Sequence, residues 1–374
     1  MRLDLKMQDI IEKGYEEARE VIRKNIFKNG FYASAGKNGY NAIWARDSMI
    51  TSLGASLIED DKFKEAFKQS LLTLAEAQSK RGQIPNAVDT FSERKPHIDF
   101  KSIDSTLWFI IGHYIYKERY KDNSLFKRHR GHLKSALIWL SYQDMGEDGM
   151  LEQLPTTDWQ DAFPHKYGHV LSTQVMYYKV LNLLRAEKKS RKLKKKVNED
   201  KEDGLWGGDF YFSWRWKNHN KYKEIGEGFD SLGNLLAIVF DLADEKKSRK
   251  ILSYIKSKKI NLPYPVKSIY PPIKPGDKEW EEYFRDCEAR VPYHYANAGI
   301  WPHIGGFYVL ALIKIKRFRE AENELKKLAE ANLNGNFPEW INPLTKKSYG
   351  DFQAWNAGMY VLAYKSLKNK TCLI

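Results

Sequence analysis

The sequence predicts an all-α protein: a closed ring of six helical hairpins, the (α/α)6 barrel, with one small β-hairpin inserted. Three observations lead there. Apolar residues recur at three-to-four spacing through most of the chain, the period of an amphipathic helix. Helix follows helix across short connections, which is the αα-hairpin pattern. About eleven or twelve such segments stand in paired order, and a ring with alternate helices inside and outside uses that number. The functional residues are then expected in loops at one end of the inner helices.

Taken in order, helices are expected over roughly 6–28, 46–58, 62–79, 103–120, 126–143, 170–197, 230–242, 246–256, 301–315, 318–332 and 352–368. Several start on an acid or Ser near the N-cap, ahead of an apolar run. Alternating aromatics in GGDFYFSWRWKNHNKYKEIGEG (207–228), around a polar turn at Asn218, His219 and Asn220, predict the hairpin. Residues 262–297 are rich in Pro, Tyr and charge and read as a long irregular segment, a kind more often functional than idle. No Gly/Ser-rich or Pro-rich linker divides the chain, so residues 1–374 are expected to form a single catalytic domain.

Composition narrows the class. At 374 residues and 42% hydrophobic, the chain can bury a sizeable core and is not disordered. The two cysteines, Cys287 and Cys372, make no disulfide framework and point to a reduced, intracellular protein. The N-terminal stretch MRLDLKMQDIIEKGYEEARE is charged, with no apolar signal region, and no 18-residue apolar run exists. The expectation is a soluble cytoplasmic protein without a membrane partner.

A formal charge of +14 brings nucleic acid or anionic lipid into consideration. Much of the excess lies in the run Lys188 to Lys196. Elsewhere lysines mix with glutamates, as in RFREAENELKKLAEAN, the pattern of a solvated helix face. No nucleic-acid motif accompanies the charge, so no nucleic-acid partner is expected. No His, Cys and acid cluster has ligand spacing, so neither metal nor cofactor is expected.

Aromatics make up 14% of the chain, with 11 Trp and 22 Tyr. Scattered, they pack cores; clustered with acids in loops, they offer faces on which the C–H faces of a sugar ring stack. Five stretches have this second character. In NGYNAIWARDSMI, Trp44, Arg46 and Asp47 precede an apolar helix, and Asp47 reads equally as a cap or a site residue. GQIPNAVD is followed by KSIDSTLWFI, where Asp104 has the same two readings. TTDWQDAFPHKYGH carries Asp158 and Asp161 three residues apart, close enough for one helical turn to put them on a similar side. ANAGIWPHIGGF opens a helix at Trp301 and Pro302. NGNFPEWINPLTKKSYGDFQAWNAGMY sets Glu339 between Pro338 and Trp340, without a basic neighbour in sequence. Acids among aromatics are where carboxyl pKa values shift, and glycoside hydrolysis needs two carboxyl groups held in different protonation states. On residues alone, either Asp158 or Asp161 could be the proton donor.

These stretches resemble the (α/α)6-barrel glycoside hydrolases. They are most similar to the amylo-α-1,6-glucosidase domain of glycogen debranching enzymes, and also to the alkaline/neutral invertases and the mannosylglycerate hydrolase group. IWARDSMI resembles the family's Trp-x-Arg-Asp element, GQIPN its Gly-x-Ile-Pro-Asn loop, and DSTLWFI its Asp-Ala-Thr-Leu-Trp-Phe helix start. GIWPHIGGF resembles its Val-Trp-Pro helix start, and FPEWIN with QAWNAG its late Glu-bearing loop and helix. Their shared order, from Trp44 to the C-terminal helix, carries the resemblance. Two departures bear on the substrate: Gln160 stands where the family's acid motif has Met, and the late motif runs Trp340-Ile341-Asn342 rather than aromatic-Asp.

The resemblance implies inverting hydrolysis of an α-glycosidic bond in a small oligosaccharide or glycoside. DWQDA matches the acid motif with Asp161 as general acid, and Glu339 is the general base. Arg46 and Asp47 are implied to bind sugar hydroxyls, with Trp44, Asp104, Asp158, His165, Trp301, His303 and Gln353 as further candidates. Two other classes stay open. One is a sugar epimerase or isomerase on the same barrel, drawing on His113, His165, His169, His294 or His303. The other is a non-catalytic carbohydrate binder.

Overall fold

The structure is a computed structural model; it describes residues 2–36, 40–89, 97–199, 204–218 and 222–374. Among the described residues there are thirteen α-helices: α1 (Arg2–Lys24), α2 (Ala45–Ala55), α3 (Asp61–Glu76), α4 (Asp104–Tyr120), α5 (Ser124–Arg128), α6 (Arg130–Ser141), α7 (Leu171–Leu183), α8 (Glu187–Asn198), α9 (Ser231–Val239), α10 (Glu245–Ser257), α11 (Pro302–Lys314), α12 (Phe318–Asn334) and α13 (Ala354–Lys368).

Six of them close a ring. Helix α2 packs on α4, α4 on α7, α7 on α9, α9 on α11, α11 on α13, and α13 back on α2. These inner helices are buried nearly all round; every residue of α2 and of α9 is buried, the polar Arg46, Asp47, Ser48, Thr51 and Ser52 of α2 included. A helix with no polar stripe has to be enclosed on all sides. The outer helices α1, α3, α8, α10 and α12 are amphipathic instead: α3 buries Phe63, Phe67, Leu71 and Leu74 along one stripe, and α8 buries Ser190, Leu193 and Val197 while its lysines face outward. Where α2 crosses α13 the backbones nearly touch. A Cβ on Gly54 would run into the Gly358 carbonyl, and one on Gly358 would run into Thr51, so this crossing requires glycine on both sides.

Strands lead into several inner helices. Ile43–Trp44 pairs antiparallel with Ala87–Asp89, which pairs with His97–Asp99, and the chain passes straight from Trp44 into α2. His169–Val170, Phe212–Asn218, Tyr222–Asp230 and Ile269–Tyr270 form a four-stranded antiparallel sheet whose members feed α7 and α9. Trp340–Ile341 pairs with Ser348–Tyr349 in the loop ahead of α13, and Ile26–Phe27 pairs with Gly30–Phe31.

The helical ring agrees with the sequence expectation, and four details differ. The expected single hairpin is the central pair of the four-stranded sheet and is joined by three further small sheets. Strands of two or three residues are too short to show alternation in sequence. His219 and Asn220 of its expected turn lie outside the described residues. The helix expected over 170–197 divides into α7 and α8 at Leu184–Ala186, where Arg185 takes a left-handed φ of 57° without a Gly or Pro to announce it. The segment expected over 126–143 is likewise two helices, α5 and α6, broken at His129. Residues 151–168 are loop, so Asp158 and Asp161 do not share a helical turn. The irregular reading of 262–297 holds, apart from the strand Ile269–Tyr270 and two short 3₁₀ turns at Glu282–Asp286 and Glu288–Arg290. Among the described residues no helix is long and apolar enough to cross a membrane.

Candidate active site

The site gathers around the N-terminal ends of the inner helices. Trp44 is the N-cap residue of α2, Trp301 of α11 and Gln353 of α13. Asp161 comes from the α6–α7 loop and Glu339 from the α12–α13 loop. These elements, far apart in sequence, line one pocket of about 440 Å³ together with Tyr40, Arg46, Asp47, Trp159, Tyr295 and Trp355.

Neither Asp47 nor Asp104 caps its helix; the cap positions belong to Trp44 and Ile103, and neither makes a side-chain cap bond. Asp104 is buried behind the pocket, where its Oδ2 accepts from Arg46 Nε at 3.0 Å and Oδ1 accepts from Ser102 Oγ. This fixes the guanidinium beneath the pocket carboxyls. A buried arginine needs such a partner, since an unpaired buried charge is costly.

Five carboxyl groups, Asp104 included, then share one neighbourhood with Arg46. Burial pushes Asp47 up to about 7, against the opposing pull of Arg46. Burial also pushes Glu339 up to about 7; the Tyr40 hydroxyl, donating to Oε1 at 3.3 Å, works against this, and Asp47 and Asp161 add to it. Asp161 opens to solvent, yet enough protein crowds its carboxyl for burial to raise its pKa, with Arg46 opposing and Asp158 assisting. Asp158 goes the other way. Burial would raise it, but Lys166 Nζ at 2.8 Å, the Gln160 amide at 2.8 Å and Gln153 Nε2 at 3.2 Å hold it below the usual carboxylate range. Two acids three residues apart are thus shifted in opposite directions, the kind of difference from which acid and base roles are built.

The walls are aromatic. Trp159 stands edge-on to Trp301 at 5.2 Å between centroids, and His303 stacks flat on Trp355 at 3.9 Å. The indole N–H groups of Trp44, Trp159 and Trp355 have no protein acceptor, although each belongs to a residue that lines the pocket. Unpaired buried donors around a cavity are what a hydroxyl-rich ligand would satisfy.

Of the residues nominated from sequence, Asp161, Glu339, Trp44, Arg46, Asp47, Trp301 and Gln353 line this pocket; Asp104, Asp158, His165 and His303 do not. His303 is fully buried behind Trp159 and Trp355, and burial pushes its pKa well down, so it is a neutral ring in the wall. His165 faces Tyr283, its Nδ1 lying 2.9 Å from the hydroxyl. The other histidines are placed elsewhere too. His113 pairs with His129 inside the protein, His169 lies 3.4 Å from Glu152, and His294 packs on Trp340. Tyr40, Trp159, Tyr295 and Trp355 line the pocket without having been nominated. Trp355 and Trp159 sat inside quoted motifs; Tyr295 lies in the 262–297 loop, whose path only folding defines. Among the described residues no group of three or more His, Cys, Asp or Glu is arranged to hold a metal ion.

Residues 14–145 match the amylo-alpha-1,6-glucosidase family, and residues 224–370 match the alkaline and neutral invertase family. The chain is 30% identical over 148 residues to alkaline/neutral invertase E of Arabidopsis thaliana, which is 38% of this chain and 24% of that one. It is 31% identical over 140 residues to neutral/alkaline invertase 1 of Oryza sativa subsp. japonica, covering 36% and 22%. The matched part therefore spans about a quarter of the length of these curated relatives. In structure it superposes on GH63 mannosylglycerate hydrolase from Thermus thermophilus in complex with glucose, with TM-score 0.68 at 15% identity over 92% of this chain and 98% of that one. An uncharacterized conserved protein of the same bacterium superposes with TM-score 0.70 at 14% identity, over 93% and 99%. At such identity the structural likeness is one of fold. The chain is six-hairpin-glycosidase-like in both sequence and architecture.

Proposed function

We propose that the protein is an inverting glycoside hydrolase that cleaves an α-glycosidic bond, with residues 1–374 acting as one catalytic domain. Asp161 protonates the leaving glycosidic oxygen, and Glu339 deprotonates a water on the opposite face of the ring. The observation that carries this reading is the pocket itself: two raised carboxyls, from loops far apart in the sequence, share aromatic walls and unpaired indole donors. Inversion requires the two carboxyls about 6.5–9.5 Å apart, with room for the water between them.

The supporting cast follows from electrostatics. Asp158, held in its ionised form by Lys166, adds to the upward shift of Asp161 and so favours the protonated form of the proposed donor. Tyr40 donates to Glu339 and favours its basic form. Arg46 limits how far the acids rise and, with Asp47, offers polar contacts to sugar hydroxyls. Trp44, Trp301 and Trp355 supply faces for the ring.

The candidate substrates are a short α-glucoside, sucrose, a glucosylated or mannosylated glycerate, and the stub of a branched glucan. A net charge of +14 favours an anionic sugar among them. Product release measured over such a panel, with the first-formed anomer read by NMR, tests the reading. A product that keeps the configuration of the broken bond would overturn the inverting mechanism, and turnover of none of the panel would overturn the substrate class.

A further inference from the structure

His303, the second residue of α11, is fully buried and does not line the catalytic pocket. Among the described residues neither of its ring nitrogens has a hydrogen-bond partner. Burial pushes its pKa well down, and the Arg46 guanidinium works in the same direction, so the ring is neutral. A neutral imidazole without hydrogen bonds acts through the shape and faces of its ring alone. Burying such a ring unpaired costs stability relative to an apolar group of similar size, so its presence calls for a use.

Its contacts supply one. The ring lies flat on Trp355, with 3.9 Å between centroids and the planes 17° apart. It stands edge-on to Trp159 at 5.5 Å and to Trp301 at 5.9 Å. Those three indoles line the pocket, so the imidazole backs all of them from the protein side. They arrive from three parts of the chain. Trp159 belongs to the acid-bearing loop, two residues before Asp161; Trp301 is the N-cap of α11; Trp355 is in the first turn of α13. Trp301 also stands edge-on to Trp159 at 5.2 Å and to Trp355 at 6.0 Å. Stacked and edge-to-face contacts hold rings in defined orientations, so one ring shared by three indoles ties their orientations together.

We propose that His303 is a positioning residue, whose ring fixes the Trp355 face on which the sugar lies and, through Trp159, sets that face relative to the Asp161 loop. The inference rests on the glycoside-hydrolase reading of the pocket. His303 does not touch the sugar. Its effect passes through the indoles: a tilt of Trp355 loosens the ring of the substrate, and a shift of Trp159 displaces the donor. A small misplacement of a reacting group lowers the rate as well as the affinity, so both KM and kcat should respond.

The test compares three variants of the whole chain, each checked for native circular dichroism. His303→Ala removes the ring, His303→Gln keeps polar atoms without a ring, and His303→Phe keeps a flat ring without nitrogens. Kinetics are measured on the glycoside that the wild type turns over, and binding of glucose and mannose by calorimetry. His303→Ala and His303→Gln should each raise KM and lower kcat by about tenfold, and weaken the sugar that binds by a similar factor. His303→Phe should bring all three back to within about threefold of the wild type. If His303→Ala does not fold, the contrast between Gln and Phe decides. Unchanged KM and kcat in the folded His303→Ala or His303→Gln protein, with only the urea midpoint lowered, would reduce His303 to packing and overturn the proposal. Rescue by Gln rather than Phe would overturn it too. A wild type that neither turns over the panel nor binds glucose or mannose would instead overturn the reading of the pocket, and this inference with it.

Discussion

Lys166 Nζ lies 2.8 Å from Asp158 Oδ2, and both side chains are completely buried. The pair holds Asp158 below the usual carboxylate range, and the Asp158 charge adds to the upward shift of Asp161 three residues on. Removing one member of a buried pair leaves the other charge unpaired, which costs about 3–5 kcal/mol. Lys166→Met strands both Asp158 and Asp230, so its unfolding free energy, read from urea denaturation, should fall by that amount relative to the wild type. A variant of unchanged stability would show that the pair is not buried as described.

Asp158→Asn addresses the electrostatic side. Asp158 raises Asp161, and its removal leaves Lys166 only the more distant Asp230, so the Asp161 carboxyl should ionise at lower pH. A donor must be protonated to act. The alkaline limb of kcat/KM should therefore move to lower pH while the acid limb stays in place. An unmoved alkaline limb in a folded Asp158→Asn protein would separate Asp158 from the donor.

For the reacting groups themselves, Asp161→Asn and Glu339→Gln should each lower kcat by about 10²–10⁴-fold and leave the fold intact. In the wild type, activity should fall as pH drops through about 7, where Glu339 takes up its proton. Tyr40→Phe removes the hydrogen bond that favours the ionised base, so the acid limb should move to higher pH. Near-normal turnover in both carboxyl variants would remove them from the mechanism.

Glu339 also affects stability, with a definite sign. Its pKa is raised from 4.5 to about 7 in the folded protein, so folding favours the protonated form. That contribution is complete below 4.5 and is lost as pH rises through about 7. Glu339→Gln cannot ionise and escapes the loss. Its Tm should exceed that of the wild type at pH 8, with the difference shrinking toward pH 4. A Tm difference independent of pH would mean that the Glu339 pKa is not raised by folding.

Gly350 packs against Glu339 from behind. It sits at φ 66°, and a Cβ there would lie 2.9 Å from the Glu339 Cβ. Gly350→Ala should cost about 1–2 kcal/mol through the left-handed backbone alone. It should also displace Glu339, so kcat should fall more than KM changes. A variant that lost stability but kept kcat would limit Gly350 to a backbone role.

Much of the fold was legible in the sequence because helical periodicity is local. The largely apolar helices α9 and α11 belong inside, and the striped helices α3, α10 and α12 belong outside as cover. The order of the Trp44–Asp47, Asp161 and Glu339 motifs carried the glycosidase likeness in the same way. Local pattern could not show that Arg185 takes a left-handed turn between α7 and α8, nor that strands of two residues pair into sheets. Both outcomes are set by contacts with distant chain.

The same division runs through the site. The sequence by itself determined which residue types stand near which helix starts: acids and tryptophans ahead of apolar helices. Only the tertiary structure decided what those acids do. It put Asp104 under Arg46 and Asp158 against Lys166, and it left Asp161 and Glu339 in the open pocket. A carboxyl's state depends on burial and on charges within a few ångströms, and for these acids the decisive neighbours lie outside their own helix or strand. Arg46 reaches Asp104 across 58 residues, and Tyr40 reaches Glu339 across 299.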